Sequence, residues 1–506
     1  MRTNILALCA VAWMAWAPQA FASLPDETSP ATQADVDKVR AELREAVTVA
    51  QATPFDAAKV GDLMKAIVAE PGFASLSGDE RHAAYLLLGL GELGSGDDSG
   101  ALAALTTAIQ MPAAGGDDWS VRLDAAYRAH DDAAAAESLA MLAQRWPDKL
   151  ADHDDVVILH TANVADTRDG RARESALLES LHASKWHPTD PFWSADALWL
   201  RLVRIRLENG DRAGAAAVMD EITDSGAYID VHADKRFDAM TAADPSKYDV
   251  AAAQARDLAA LRSKAAAAPD RLEGINTLAL ELAQFNRAQE ALALLDGALA
   301  RMADGKTAFA DQNDQINWTM DDRARVLDDL GRFDEALAQR IPSAKLQEDG
   351  TANVSQAINL ADDYDALERP GDALAALRDL GGTSLYGSMA MQEARACAYA
   401  QLGDAANLRG SMDYLKAHAA DGPQPLLNAR LCAGDLDGAA GQVIAALADP
   451  SNRMDMLYRL QDFAVPPLAP HDAKMHDAWI ALRGRADVQA AIAKVGRIAS
   501  YRVLAQ

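Results

Sequence analysis

Apolar residues recur along most of this chain every three or four positions, in runs separated by short polar turns, which predicts helices joined in pairs. Val36, Val39, Leu43 and Val47 share one face of a helix expected over 33–50, and Val60, Leu63 and Ile67 one face of a second over 56–70. Downstream the joint between paired helices has a recognisable signature, clearest at Leu330–Leu337, which reads LGRFDEAL. Variants stand at 286–292 (NRAQEAL), 369–374 (RPGDAL), 210–215 (GDRAGA), 434–439 (GDLDGA) and 130–135. Each offers a helix-ending Gly, Asn or His, then polar residues, then an Ala that opens the next apolar stripe. The Ala landmarks 101, 135, 215, 291, 336, 373 and 439 are spaced by 34, 80, 76, 45, 37 and 66 residues. With the long intervals taken as two units each, the period is about 34–40 residues, the mark of stacked helical hairpins.

Ten units are expected, at 81–111, 118–147, 154–184, 192–224, 232–268, 270–303, 310–341, 350–380, 387–420 and 423–449. A bend or break is expected at 225–250, where Ser225-Gly226 and Asp244-Pro245 bracket a weakly periodic helix. Beyond Pro450 the pattern changes to Pro466-Pro467 and Pro470, followed by a helix from His471 and a terminal helix over Asp487–Tyr501. No alternating apolar-polar strand of useful length is visible.

Three residues at one joint, Ala396, Tyr399 and Gly403, place a small residue, an aromatic and the turn Gly at the first-helix spacing of the tetratricopeptide repeat. Ala291 and Ala336 stand at its small second-helix position, and Pro112 and Pro147 close their units. Over residues 81–450 the chain resembles that family. It departs at 154–184 and 232–268, which lack the Gly, and at Leu408, where a small residue is expected.

The resemblance implies an all-α, right-handed superhelical solenoid of about ten helix-turn-helix repeats, with helical caps at 23–80 and 451–506. It also implies that first helices line a concave groove, the usual ligand surface. Counting back from the joints directs Trp318, Asp321, Arg325, Asp328 and Asp329 of one unit, and Ser355, Ile358, Asp362 and Asp365 of the next, toward that groove. The Lys and Asn set with which family members clamp a terminal carboxylate is missing. The bland reading of these carboxylates is a solvated face in a chain rich in Asp throughout.

Charge narrows the partner. The 506 residues carry 75 acidic and 48 basic side chains, a net charge of -27. Residues 1–22 read as an export signal, with Arg2, an apolar run from Ile5 to Ala17 and Ala20-Phe21-Ala22 before Ser23. Losing Arg2 leaves 75 against 47, or -28. Nucleic acid is therefore repelled, while a protein or peptide partner with a basic segment is electrostatically allowed. No later stretch is long and apolar enough to span a bilayer. Cys397 and Cys432 lie six and two residues before the turns at Gly403 and Gly434, an offset of one helical turn that argues against a disulfide.

Candidate chemistry adds little. Ala300–Thr307 fits a relaxed phosphate-loop string and Gly89–Gly94 a dinucleotide fingerprint, yet neither sits in the strand-to-helix setting that chemistry requires. No metal site is expected, since no His pair has zinc spacing, and Asp152-His153-Asp154-Asp155 reads as an acidic turn. Trp186, Trp193 and Trp199, interleaved with Asp190 and Asp196, support a competing reading as an envelope glycan-active enzyme. The favoured reading is an exported, periplasmic or secreted, non-catalytic adaptor that needs no cofactor.

Overall fold

The structure, a computed structural model, describes residues 31–168, 171–303, 308–348, 351–378, 380, 383–420 and 422–504. The proposed export signal lies outside them. Two compact units divide at Asp190/Pro191. The first holds α1 (Gln33–Ala50), α2 (Ala57–Val68), α3 (Gly78–Ser95), α4 (Asp98–Ala108), α5 (Gly116–Arg128), α6 (Asp132–Arg145), α7 (Asp155–Arg168) and α8 (Arg171–Ala183).

The second opens with α9 (Asp196–Glu208), α10 (Arg212–Met219), α11 (Ser225–Ala233), α12 (Asp238–Ala243) and α13 (Val250–Ala267). Regular hairpins follow: α14 (Leu272–Gln284) with α15 (Ala288–Met302), α16 (Gln312–Asp329) with α17 (Phe333–Ser343), α18 (Val354–Ala366) with α19 (Pro370–Ala376), α20 (Leu385–Leu402) with α21 (Ala405–Ala417), and α22 (Pro423–Cys432) with α23 (Leu436–Ala448). The end of the chain forms α24 (Arg453–Arg459), α25 (Pro470–Arg483) and α26 (Ala486–Val495). Among the described residues sheet is confined to two small pairs. β1 (Gln347–Glu348) and β2 (Thr351–Ala352) are antiparallel, and β3 (Asp462–Ala464) and β4 (Ser500–Leu504) parallel. The terminal helix expected to reach Tyr501 therefore ends at Val495, and the β-branched and aromatic end of the chain pairs as a strand.

The joints are the local reason for the array. Gly96, His130, Gly210, Asn286, Gly331, Glu368, Gly403 and Gly434 all hold left-handed backbone, with φ between 54° and 88°. At each, the N–H of the following residue donates to the carbonyl five positions back, at 2.7–2.9 Å, closing the helix with a Schellman bond. That following residue then starts the second helix in one of two ways. Asp97, Asp131, Asp211, Asp404 and Asp435 accept the N–H three residues on, at 2.8–3.1 Å. Arg287, Arg332 and Arg369 pair with Glu290, Glu335 and Asp372 on the first turn. In the RPGDAL joint the left-handed residue is Glu368, not Gly371. All seven Ala landmarks are at most 2 % exposed, because the second helix crosses its neighbours there.

Cys397 and Cys432 correct the sequence reading: they are bonded, with Cα atoms 5.1 Å apart. The turns they precede are 31 residues apart, but contacts between α20 and α22 run at a register of 35, as in Asn428 Nδ2 donating to Glu393 Oε1 at 2.6 Å. Neighbouring first helices are thus staggered by four residues, about 6 Å, which cancels the offset.

In the second unit the two ends meet. Ala233 of α11 belongs to the same apolar cluster as Leu427, Val443, Leu457 and Ile492. Arg497 donates to the His232 carbonyl at 2.9 Å and to both Asp238 carboxylate oxygens at 2.6 and 2.8 Å. Asp234 bridges to Gly496.

Two substitutions separate packing from backbone strain. Ala336→Leu should overpack its crossing and cost about 1–3 kcal/mol. Gly434→Ala meets no atom within 4 Å, so its cost of about 1 kcal/mol comes from the left-handed backbone alone. Denaturant midpoints check both, and an unchanged midpoint for Ala336→Leu would show that the crossing is not packed.

Candidate functional site

The first helices α14, α16, α18, α20 and α22 face one interior, into which the segment after α24 is folded. Helix α25 packs on α18, α22 and α23. Pro467 touches the joint at Gly331, and Lys474 pairs with Glu368. The segment borders cavities of 770, 170 and 450 Å³ among the described residues. The largest is lined by Glu281, Arg325, Asp328, Asp329, Phe463 and Trp479 among others. The 450 Å³ cavity lies against Asp362, Asp365, Glu393, Asp472 and the other side of Trp479, and the smallest sits between Asp328, Asp329, Pro466 and Asp472.

Asp328 and Arg325 line the 770 Å³ cavity, and Asp362 and Asp365 the 450 Å³ one. Asp321 lines neither. It is 0 % exposed and serves a buried ion cluster built on Arg340, a residue of the second helix α17. Arg340 pairs with Asp321, with Asp328 at 3.2 Å and with Asp363 at 2.5 Å. Asp321 Oδ1 also accepts Asn359 Nδ2 at 3.0 Å, and its Oδ2 forms an ion pair with Arg325 at 3.0 Å. Helical counting put Asp321 on the right helix, but a guanidinium reaching in from α17 draws it under the surface. Removing one partner from such a cluster leaves buried charge uncompensated and destabilises strongly. Trp318 is 39 % exposed and lines none of these cavities. Ser355 and Ile358 line none of them either, and Ile358 is buried in the α18–α20 core.

The interior is acidic and partly shielded from bulk solvent, and burial raises its carboxyls. Asp328 and Asp329 rise to about 6, the former opposed by Arg340 and the latter pushed further by Asp328. Glu281 rises to about 7, with Asp257 adding to burial, and Glu393 to about 7 despite the Asn428 hydrogen bond. Asp365 rises to about 8 by burial, reinforced by Asp362. Asp362 is pushed upward too, by burial and then Glu393, although its side chain still reaches solvent, which moderates the rise.

Sequence counting missed Glu281, Glu393 and Asp472. Glu393 could have been found, since it lies one turn before Cys397 on the same face. Asp472 could not, because nothing in its local pattern says where α25 will pack.

The other candidates resolve structurally. Gly89–Gly94 lies wholly inside helix α3, where a Cβ on Gly89 would stand 2.5 Å from Leu105 Cγ and one on Gly91 2.5 Å from the Gly61 nitrogen. Its glycines serve close helix packing. The residues before Gly305 are helical, and 304–307 lie outside the described residues. His153 contacts Asp124 Oδ1 and Ser120 Oγ, both at 3.2 Å. Asp196 accepts the N–H groups of Thr223 and Asp224 at 3.0 and 2.9 Å, and Trp193 donates to Glu273 at 2.7 Å. Asp190 and Asp196 fall in different units.

No protein-family model matches the chain, and no curated protein does. Among solved structures it is similar to a Rap protein complexed with competence and sporulation factor, at 13% identity over 88% of this chain and 99% of that one, with a TM-score of 0.32. It is also similar to yeast Tom70, at 11% identity over 90% and 98%, TM-score 0.32, and to the TPR domain of P58(IPK), at 14% over 79% and 99%, TM-score 0.20. The chain is a TPR-like all-α array of helical hairpins. Overlaps this loose add nothing to that statement, which stands on the joints and buried Ala residues above.

The raised carboxyls set a pH dependence. Unfolded, these groups titrate near about 4. Folded, they hold their protons to about 6–8. Between those limits the folded chain binds more protons than the unfolded one, so stability falls as pH rises through the window. His471, pushed down by burial, opposes this only at the acid end. Thermal melting followed by helix circular dichroism should give a higher midpoint near pH ~5.5 than near pH ~8.5. The reverse order would mean that the interior carboxyls are solvated and ordinary.

Proposed function

We propose that this protein is an exported, non-catalytic adaptor that engages a basic segment of a protein partner through the inner face of its second unit. The observation that carries the reading is the pair of acidic cavities left beside the C-terminal segment, which share Trp479 as an aromatic wall. Exposed carboxylates there attract Lys or Arg side chains and speed encounter, and an aromatic wall offers apolar and cation-π contact. Trp479 takes the anchoring role in this reading, because Trp318 lines neither cavity. The Cys397–Cys432 bond fits an oxidising compartment, in keeping with export.

Proximity labelling in the envelope fraction should recover the partner. Calorimetric titration then compares wild type with a combined Asp328→Asn, Asp329→Asn and Asp362→Asn variant at low and high salt. Asp321 is left intact because its loss would disturb folding. Wild-type binding should weaken with salt, and the variant should bind at least about tenfold more weakly with less salt sensitivity. Equal affinity in all four titrations would move the binding surface off the inner face. The exported chain should begin at Ser23, which N-terminal sequencing reads directly.

A further inference from the structure

Both half-cystines of the Cys397–Cys432 bridge line the 450 Å³ cavity. The two differ in surroundings. Cys397 lies in the interior of α20 and is buried, whereas Cys432, the last residue of α22, is half-buried. Its Sγ stands 3.9 Å from Nε2 of His471, the second residue of α25, which lines the same cavity. A disulfide that only ties two helices together needs neither access nor a base, and reachable bridges are the ones that exchange with thiols. Burial, with Lys474 adding to it and Glu368 opposing, holds His471 below the usual imidazole range. At neutral pH the ring is therefore uncharged, with one nitrogen able to accept a proton.

Helix α22 is the element the bridge restrains. It has ten residues, too few to hold a helix without neighbours. Its Leu427 and Leu431 join the apolar cluster that contains Ala233, Val443 and Ile492, and it packs on α25. Toward α20 the bridge is supplemented by Asn428 Nδ2, which donates to Glu393 Oε1 at 2.6 Å. A covalent tie at the last residue of so short a helix fixes its register on α20, and opening the tie frees the end that meets α25.

We propose that the bridge is a site of thiol–disulfide exchange: a dithiol attacks Cys432 Sγ, His471 Nε2 accepts the thiol proton, and opening of the bridge loosens α22 against α20 and α25. A bond forms between the reagent sulfur and Cys432 as the Cys397–Cys432 bond breaks. The electron pair passes to Cys397 Sγ, which takes the proton back from His471. The reagent's second thiol then attacks the first reagent sulfur, closes the reagent's own disulfide and releases Cys432 as a thiol. The dithiol is oxidised and the bridge is reduced to two thiols. The titratable and charged groups around His471 are Asp362 and Asp365 on α18, Glu368 after it, Glu393 on α20, Tyr458 and Arg459 on α24, and Asp472, Lys474 and His476 on its own helix. The exchange needs no protein partner, so it stands or falls apart from the adaptor reading.

The folded full chain, without denaturant, is treated with glutathione at about pH 7, quenched with N-ethylmaleimide and mapped by peptide mass. Glutathione should be found on Cys432 and maleimide on Cys397, at least about tenfold over the reverse. His471→Gln should slow opening by dithiothreitol at least about tenfold at about pH 7, where the reagent is mostly thiol, and leave it unchanged at about pH 9.5, where it is mostly thiolate. After reduction by dithiothreitol, amide hydrogen exchange should quicken at least about tenfold in α22 and in the first turns of α25, while α3 to α6 of the first unit stay as they were. The Cys397→Ser, Cys432→Ser double variant should match the reduced wild type. Should that variant not fold, the reduced wild type, prepared from the folded oxidised chain, still decides the matter. A bridge that stays closed until denaturant is added, or glutathione carried mainly by Cys397, would overturn the site. Equal slowing of His471→Gln at both pH values, or none at either, would remove His471 as the base. Unchanged exchange in α22, or quickened exchange throughout the chain, would show a structural tie and no switch.

Discussion

A helix that stops must satisfy its last carbonyls, and among the described residues this chain does so the same way nine times, Lys185 included, with one left-handed residue and one bond back across the final turn. That device reverses direction in very few residues, so the second helix starts pressed against the first. Close approach favours a small residue at the crossing, and Ala fills it at seven joints, whereas at the Gly403 joint the position is taken by the half-buried Leu408. Turn, cap and small residue are one constraint seen at three levels. Where the left-handed residue is Glu368, His130 or Asn286, a side chain bears strain that Gly avoids, and the bond and cap offset it.

The period was legible because that constraint is local. Intervals between Ala residues marked where the second helices begin in both units, whereas the division between the units, at Asp190/Pro191, falls outside the stretch 225–250 where a bend or break is expected. What was not legible depends on distance in sequence. The stagger that joins Cys397 to Cys432 is set by how α22 packs on α20, and no spacing within either helix reports it. Asp321 was assigned to the correct helix and the wrong environment, since its burial is decided by Arg340, nineteen residues later in a different helix. Pro466-Pro467 signalled an interruption, but its destination against Gly331 could not be read from the prolines themselves.

The acidic composition acquires a specific meaning inside the second unit. Most of its charge is dispersed on solvated faces, where each carboxylate is cheap. Along α14, α16, α18 and α20 the carboxylates instead converge on an interior partly filled by α25, which removes water from them and raises their affinity for protons. Arg340 neutralises one end of this field by gathering three Asp residues from two hairpins. Toward α20 and α22 the carboxylates of Asp362, Asp365, Glu393 and Asp472 share their wall with the guanidinium of Arg459. Charge that the fold gathers but does not balance is a demand for something outside the chain, whether protons or a cation.

How strongly that demand can be expressed depends on whether the interior keeps its width. A hairpin array contacts only its neighbours and so bends easily along its length. Here α11 and α12 are bound to the final elements through Arg497, which reaches the His232 carbonyl and the Asp238 carboxylate, and through a shared apolar cluster, and the staple between α20 and α22 fixes one wall of the 450 Å³ cavity. Joining the ends turns a sequence of neighbour contacts into a circuit, in which widening one cavity must strain contacts elsewhere. The carboxylates are thereby held apart at fixed distances instead of relaxing away from one another.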